Sequence, residues 1–407
     1  MNRPRLIVLI LVLGTLVSPG ALTAQTIRIF QFSPEFTDQM NAMAGVYART
    51  FPGRRLALEI VQSQYPGLLK FKARSGNLPD VFMINSRSDL ETYRTWLADL
   101  SREPWVPKML PSTLEHWTLD GKLYGYPLWI QSFGLIYNKA LFAQAGITVL
   151  PQTMRDLVAV VRRLKAQGIT PFASAYKEWW VFKHILERFM AAEGAYTTVA
   201  ADLTSGKRTF SDLAHIQDFF DFIDLTAAES QPNALATTFG QQVELFAQGK
   251  AALIHQGDWA EGPILQANPR AQFGFFALPV GTDRSLMVDA SVIWVVNKDS
   301  PVLSQIKDWL DWLSTSDYGR NFVPGVLKVQ GALAGAGQPR GQLVADVAPY
   351  LKSGAVRPWV ETYWPAGFDE GFGHLMQEYL VGMHDRKGVM DAATKLWRDR
   401  AAAPPTP

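Results

Sequence analysis

Four short segments set an aromatic ring beside hydrogen-bonding side chains: Trp129-Ile130-Gln131, Lys177-Glu178-Trp179-Trp180, Gln256-Gly257-Asp258-Trp259 and Glu361-Thr362-Tyr363-Trp364. Each follows or interrupts a predicted element instead of sitting inside a strongly periodic helix. The mixture suits a pyranose, whose axial C–H bonds gather on one face while hydroxyls ring its edge. An indole or phenol ring can take the face, and Asp, Glu, Asn, Gln or Arg the rim. One such tryptophan is as readily explained by packing; four segments together point to a site. Nothing is arranged for nucleophilic, metal or phosphate chemistry. The six histidines never form the spaced pair of a zinc protease, and there is neither a G-x-S-x-G elbow nor a Walker loop. No catalytic residue, metal or cofactor is expected. The chain also lacks cysteine, which excludes disulfides, thiolate metal sites and a lipid-modified N-terminal cysteine.

The elements that must position these segments alternate in type. Extended, apolar-rich runs at Thr26–Phe32, Leu56–Val61 and Val81–Ile84 are separated by helical stretches, giving βαβαβ. Such alternation predicts a mostly parallel sheet with helices on both faces and ligands beyond the carboxyl ends of the strands. The loops concerned are Phe32–Glu35, Val61–Tyr65 and Ile84–Asp89, which offer Ser33, Gln64, Asn85 and Arg87 as polar candidates. Further along, Thr153 with Asp156 caps a helix whose apolar face is Leu157, Val160, Val161 and Leu164. Extended runs follow at Ala251–His255, Phe273–Leu278 and Val292–Val296, so a second α/β unit is visible. Trp309 and Trp312 lie beside Leu310 and Leu313 in an amphipathic helix and read as core.

The 407 residues suffice for two or three folding units, and 48% apolar against 19% charged residues is a globular balance. Lys and Arg number 39 against 37 Asp and Glu, with no basic block, so nucleic acid is not an expected partner. Residues 1–24 read as a cleaved export signal: Arg3 and Arg5, an apolar run from Leu6 to Val17, then Ser18-Pro19-Gly20 and Ala24. The run is shorter than the roughly 17 residues that a membrane-spanning helix needs. Residues 401–407 read as a disordered tail.

Three further segments occur in a telling order: Gly76-Asn77-Leu78-Pro79-Asp80-Val81; Asp120-Gly121-Lys122-Leu123-Tyr124-Gly125-Tyr126-Pro127 running to Leu135-Ile136-Tyr137-Asn138-Lys139; and Phe246-Ala247-Gln248-Gly249-Lys250-Ala251-Ala252 running to Gly257-Asp258-Trp259. With the export signal before them, the chain resembles the extracellular solute-binding proteins of ABC importers, specifically the carbohydrate-binding family that includes maltose-binding protein. The resemblance implies a two-lobed α/β clamp, each lobe a mostly parallel sheet flanked by helices, closing on sugar between the lobes. It also implies roles residue by residue. Gln131 stands where the family has a glutamate that bonds sugar hydroxyls. Trp259 matches a family tryptophan, with Asp258 beside it as a hydroxyl acceptor, and Tyr363 and Trp364 match a late aromatic pair. Glu178 with Trp179 or Trp180 falls in a family ligand loop, and Trp129 adjoins the Gln131 position. Asn85, Ser86 and Arg87 occupy a loop where the family's acidic ligand has no counterpart. Asp289 replaces a family glycine, as a ligand or as a turn residue.

The expected organisation is therefore a first lobe over 25–129 and 294–345, a second over 133–288 and 350–400, and hinge crossings near Ile130, Asp289 and Pro349. The expected function is that of the monomeric periplasmic component of an ABC importer, delivering a carbohydrate to permease subunits without catalysis. Two other readings stay open. A secreted carbohydrate-active hydrolase would use Glu178 and Asp258 as paired carboxylates. A binder of polyamine or another small solute would need several acids in the cleft.

Overall fold

The computed structural model describes residues 25–403 except 291 and 338. The export signal over 1–24 and residues 404–407 of the expected tail thus lie outside the described residues. The part of that tail within reach is ordered, because the helix Arg386–Ala402 runs on through Ala401 and Ala402, residues with the highest helix propensity.

Two sheets build two lobes. In the first, the strand order is Arg54–Ile60, Gln25–Gln31, Val81–Ile84, Ile293–Val296 and Gly125–Pro127. The first three run parallel, as the alternation predicts, and Ile293–Val296 lies antiparallel between Val81–Ile84 and Gly125–Pro127. Val81, Phe82, Met83 and Ile84 are all buried, as befits a central strand covered on both faces. Arg54–Ile60 alternates between half-buried and exposed residues, the pattern of an edge. Asp80, from the Pro79-Asp80 motif, is a buried tie: its Oδ2 accepts the Arg28 backbone N–H at 2.8 Å and its Oδ1 the Ser300 hydroxyl at 2.8 Å.

The second sheet departs from the parallel expectation. Its spine is the long strand Trp129–Asn138, flanked antiparallel by Leu253–Gly257 on one side and by Phe273–Phe276 and Leu286–Asp289 on the other. Leu286–Asp289 pairs parallel with Val356–Arg357, and Leu253 forms one isolated parallel bridge with Phe172. The spine enters directly from the first sheet, and three of its partners return against it from more than a hundred residues later in the chain.

The chain passes between the sheets at Leu128, where one strand follows another almost without a turn, and between Asp289 and Ile293. A third passage comes before Gln342, whose side chain accepts the Phe273 N–H at 3.0 Å and donates to the Ala271 carbonyl at 3.0 Å in the second lobe. Pro349 is inside the helix Gln342–Ser353 that packs on this lobe, so it is no crossing; the change of lobe occurs about ten residues earlier.

Helices cover both sheets as their apolar faces require. Thr153 accepts the Asp156 N–H at 3.1 Å to open the helix Met154–Ala166, and Leu157, Val160, Val161 and Leu164 are buried. Trp309 is fully buried against Trp294, with ring centroids 5.0 Å apart. Trp117 donates its indole N–H to the Ala290 carbonyl at 3.0 Å, which anchors the second passage to the first lobe.

Candidate functional site

The carboxyl ends of the parallel strands open toward the second lobe, and between the lobes lies a cavity of about 150 Å³. By the measure in which one water needs about 10–15 Å³, that is room for roughly ten waters. On the first-lobe side the wall is Phe32, Ser33 and Glu35 after the first strand, Gln62 and Tyr65 after the second, and Asn85 and Asp89 after the third. Tyr65 is fixed by its own hydroxyl, which donates to the Met83 carbonyl at 2.7 Å and accepts the Met83 N–H at 3.0 Å.

On the second-lobe side the wall is aromatic. Trp179 and Trp180 open the helix Trp179–Ala192, Trp259 sits in the turn Asp258–Ala260, and Trp364 follows the turn Val360–Tyr363. All four line the cavity and are buried in the closed form. Trp259 is held by a bond from its indole N–H to Gln256 Oε1 at 3.0 Å and by near-parallel packing on Phe133, centroids 6.5 Å apart. The preceding glycine makes room for it: a Cβ on Gly257 would lie 2.0 Å from the Trp259 ring and 2.3 Å from the Ser132 carbonyl oxygen.

Under the rings is a buried polar network. Lys183 pairs with Glu361, whose backbone N–H donates to Glu187 Oε1 at 3.0 Å. Burial pushes Glu187 up to about 8, lowers Lys183, and keeps His184 well below its ordinary value and therefore neutral. The Asn85 amide bridges this network to the first lobe, with its oxygen 3.3 Å from Lys183 Nζ and its nitrogen 3.2 Å from Asp89 Oδ2.

Two protein–protein connections shut the rim. Ser63 Oγ donates to Glu178 Oε2 at 2.7 Å while the Ser63 carbonyl accepts the Trp179 indole N–H at 3.2 Å. Elsewhere along it the Ala366 N–H donates to Ser88 Oγ at 2.8 Å. The lobes are thus in contact through residues of both, and the cleft is closed.

Of the residues expected at a site, Ser33, Asn85 and Gln131 line the cavity together with Trp179, Trp180, Trp259 and Trp364. The others are placed elsewhere. Gln64 is exposed ahead of the helix Tyr65–Arg74, and it is Gln62 that reaches the cavity. Arg87 donates to the carbonyls of His116 and Thr118 at 3.1 and 3.0 Å. Trp129 is fully buried against Phe36, and Glu178 is committed to the rim bond with Ser63. Asp258 turns inward, accepting from the Ser132 N–H at 3.2 Å and its hydroxyl at 2.9 Å; burial pushes its carboxyl up to about 7. Asp289 pairs with His116 Nε2 at 3.2 Å, a bond that raises the histidine above its ordinary value. Tyr363 packs on Tyr196, with centroids 5.5 Å apart, beside the same histidine.

The acids of the cavity are not among the residues that the sequence singles out. Glu35, Asp89, Glu361, Asp369 and Glu370 all line the cavity, against Lys70 and Lys183. Burial pushes Glu35 up to about 8; burial and then the charge of Asp369 push Asp89 up to about 6. Glu370 is raised by the same two causes. Three of these acids, Glu35, Asp89 and Glu361, fall in segments already singled out, whereas Asp369 and Glu370 read as ordinary first-turn acids of the helix Phe368–Leu380.

The profile of the bacterial extracellular solute-binding protein family matches residues 33–320. Over 292 residues the chain is 25% identical to the melibiose/raffinose/stachyose-binding protein MelE of Bacillus subtilis, covering 68% of this chain and 67% of that one. It is 25% identical over 225 residues to a multiple sugar-binding protein of Streptococcus mutans, covering 52% of each chain. Among solved structures, the solute-binding protein RafE in complex with raffinose superposes with a TM-score of 0.80 at 19% identity, covering 93% of this chain and all (100%) of that one. A chitin oligosaccharide binding protein does so with 0.79 at 18%, covering 93% and 100%. Both are two-lobed proteins of the same fold.

Proposed function

The chain belongs to the bacterial extracellular solute-binding proteins, and from that premise we propose that it captures a carbohydrate in the interlobe cleft and hands it to the permease subunits of an ABC importer. The observation that supports this most is the wall itself: Trp179, Trp180, Trp259 and Trp364 line one closed cavity together with Ser33, Asn85, Gln131 and a set of carboxylates. Rings of that kind cover the C–H face of a pyranose while amides and carboxylates take its hydroxyls. MelE and RafE, named for binding raffinose and related sugars, support the same ligand class.

In this reading the lobes are 25–128 with 293–334 and 129–289 with 342–402, and they swing about the three passages. A sugar touching both lobes binds the closed form better than the open one, and that difference in affinity shifts the population. The protein works as a monomer in the periplasm, reached by export of a precursor cleaved near Ala24. No catalytic role belongs to this reading, which is supported by the placement of Glu178 and Asp258, the pair weighed for a hydrolase: they are bonded to Ser63 and Ser132 and do not line the cavity.

Incubation with a panel of labelled neutral oligosaccharides, raffinose and stachyose included, tests the proposal. Saturable binding with every sugar recovered intact is the expected result. Turnover would establish a hydrolase instead, and absence of binding across the panel would remove the carbohydrate reading.

A further inference from the structure

The closed cleft limits the size of what it can enclose. Its volume of about 150 Å³ is room for roughly ten waters. Ten waters of liquid occupy about 300 Å³, at the foot of the range of about 300–1,000 Å³ that ligand pockets span. By the same liquid volume a pyranose unit with its hydroxyls displaces roughly six waters. One unit and most of a second therefore fill the space, and a third has no place inside the closed form.

Just outside the wall stands what would keep a longer chain out. Gln62 and Trp179 line the cavity, whereas their neighbours Ser63 and Glu178 do not. Those two are bonded to each other across the lobes at 2.7 Å, and the Ser63 carbonyl accepts the Trp179 indole N–H at 3.2 Å. Ser63 follows Arg54–Ile60, the edge strand of the first sheet; Ile293–Val296 and Gly125–Pro127, which adjoin two of the passages between lobes, stand at the other end of the strand order. This seam thus bolts the end of the cleft that lies away from those passages, where an overlong chain would leave. A second seam, from the Ala366 N–H to Ser88 Oγ at 2.8 Å, shuts the rim next to the middle strand Val81–Ile84.

We propose that the site is limited in length: it encloses a mono- or disaccharide, and Ser63 with Glu178 sets that limit by forming a bond that no chain can pass. The proposal rests on the carbohydrate reading above and narrows it. A third unit props the lobes apart at this end and exchanges the Ser63–Glu178 and Trp179–Ser63 bonds for water. It is then held by a partly open form that lacks their contribution, whereas a short sugar keeps both. Neither Ser63 nor Glu178 touches the sugar. They discriminate through the closed state of the lobes, by disfavouring the longer competitor.

The test is calorimetric titration with three series that run from one unit to four: galactose, melibiose, raffinose and stachyose, then glucose to maltotetraose, then xylose to xylotetraose. The tightest ligand should be a mono- or disaccharide, with the three-unit member of its series at least about tenfold weaker, the equivalent of two modest rim hydrogen bonds. In Ser63→Ala the short ligand should lose up to about fivefold in affinity while the three- and four-unit members keep theirs, so the preference narrows. Glu178→Ala should narrow it in the same way. A preference that neither variant moves overturns the proposal, and so does a three- or four-unit sugar bound by the wild type as tightly as the shorter ones. In either case the binding itself leaves the carbohydrate reading standing. Absence of binding in every series removes both.

Discussion

Replacing Ser63 with alanine removes a single cross-lobe bond and nothing that faces the cavity. The Ser63 hydroxyl donates to Glu178 at 2.7 Å, whereas the Trp179 indole bond goes to the Ser63 carbonyl and persists in the variant. A hydrogen bond to a charged acceptor contributes about 1.5–3 kcal/mol. This one sits at a part-buried rim where water takes over when the lobes separate, so about 1 kcal/mol is the reasonable figure. The ratio of closed to open molecules should therefore fall about fivefold. Because the ligand engages the closed form, its affinity falls by up to the same factor, chiefly through faster dissociation. Calorimetric titration and stopped-flow dissociation measure that loss, and X-ray scattering of the free variant should give a larger radius of gyration than wild type. Glu178 also accepts from the Phe239 N–H at 3.5 Å within its own lobe, so the unfolding midpoint should hold. Combining Ser63→Ala with Glu178→Ala should cost no more than the larger single effect, since each deletes the same bond. Unchanged affinity together with unchanged scattering would refute the rim bond as a determinant of closure.

Three other outcomes are expected. Trp259→Ala should weaken sugar binding by about 2 kcal/mol, and its packing on Phe133, His184 and Trp359 means that a thermal melt should also fall; a lowered melt with full affinity would make it a packing residue only. Asp258 has a folded pKa raised by burial from 3.8 to about 7, so the folded state holds its proton across that window and stability declines as pH rises through it. Asp258→Asn should abolish that decline and melt above wild type at about pH 8, and an unaltered pH profile would contradict the buried assignment. Mass spectrometry of the exported protein should find a mature N-terminus at or near Gln25, and an intact Met1 would oppose the export reading.

The loops that frame the cleft were legible because a βαβαβ pattern puts ligands at strand carboxyl ends, and Ser33 and Asn85 follow two such strands. Which residue of a loop turns inward was not. Gln62 reaches the cavity and Gln64 does not, a matter of two positions in a turn whose path depends on Tyr65 being pinned to Met83. Asp258 and Trp259 are neighbours that point apart, because the carboxylate is captured by Ser132 on a strand more than a hundred residues earlier. The acids of the cleft escaped for a similar reason. On one helix Asp369 and Glu370 look like capping charges, and their meaning comes from Asp89 on the facing lobe. Antiparallel pairing around Trp129–Asn138 was equally hidden, since an alternating pattern in the chain does not reveal partners so distant.

A crystal structure of the protein grown with a saccharide from the binding screen is the sharpest test of sugar capture between the lobes. Electron density for a pyranose ring is expected inside the closed cleft, its C–H face against one or more of Trp179, Trp180, Trp259 and Trp364 and its polar edge on Asn85, Gln131 or the cleft carboxylates. Density for the sugar on the outer surface of either lobe, with the cleft holding only water, would contradict it.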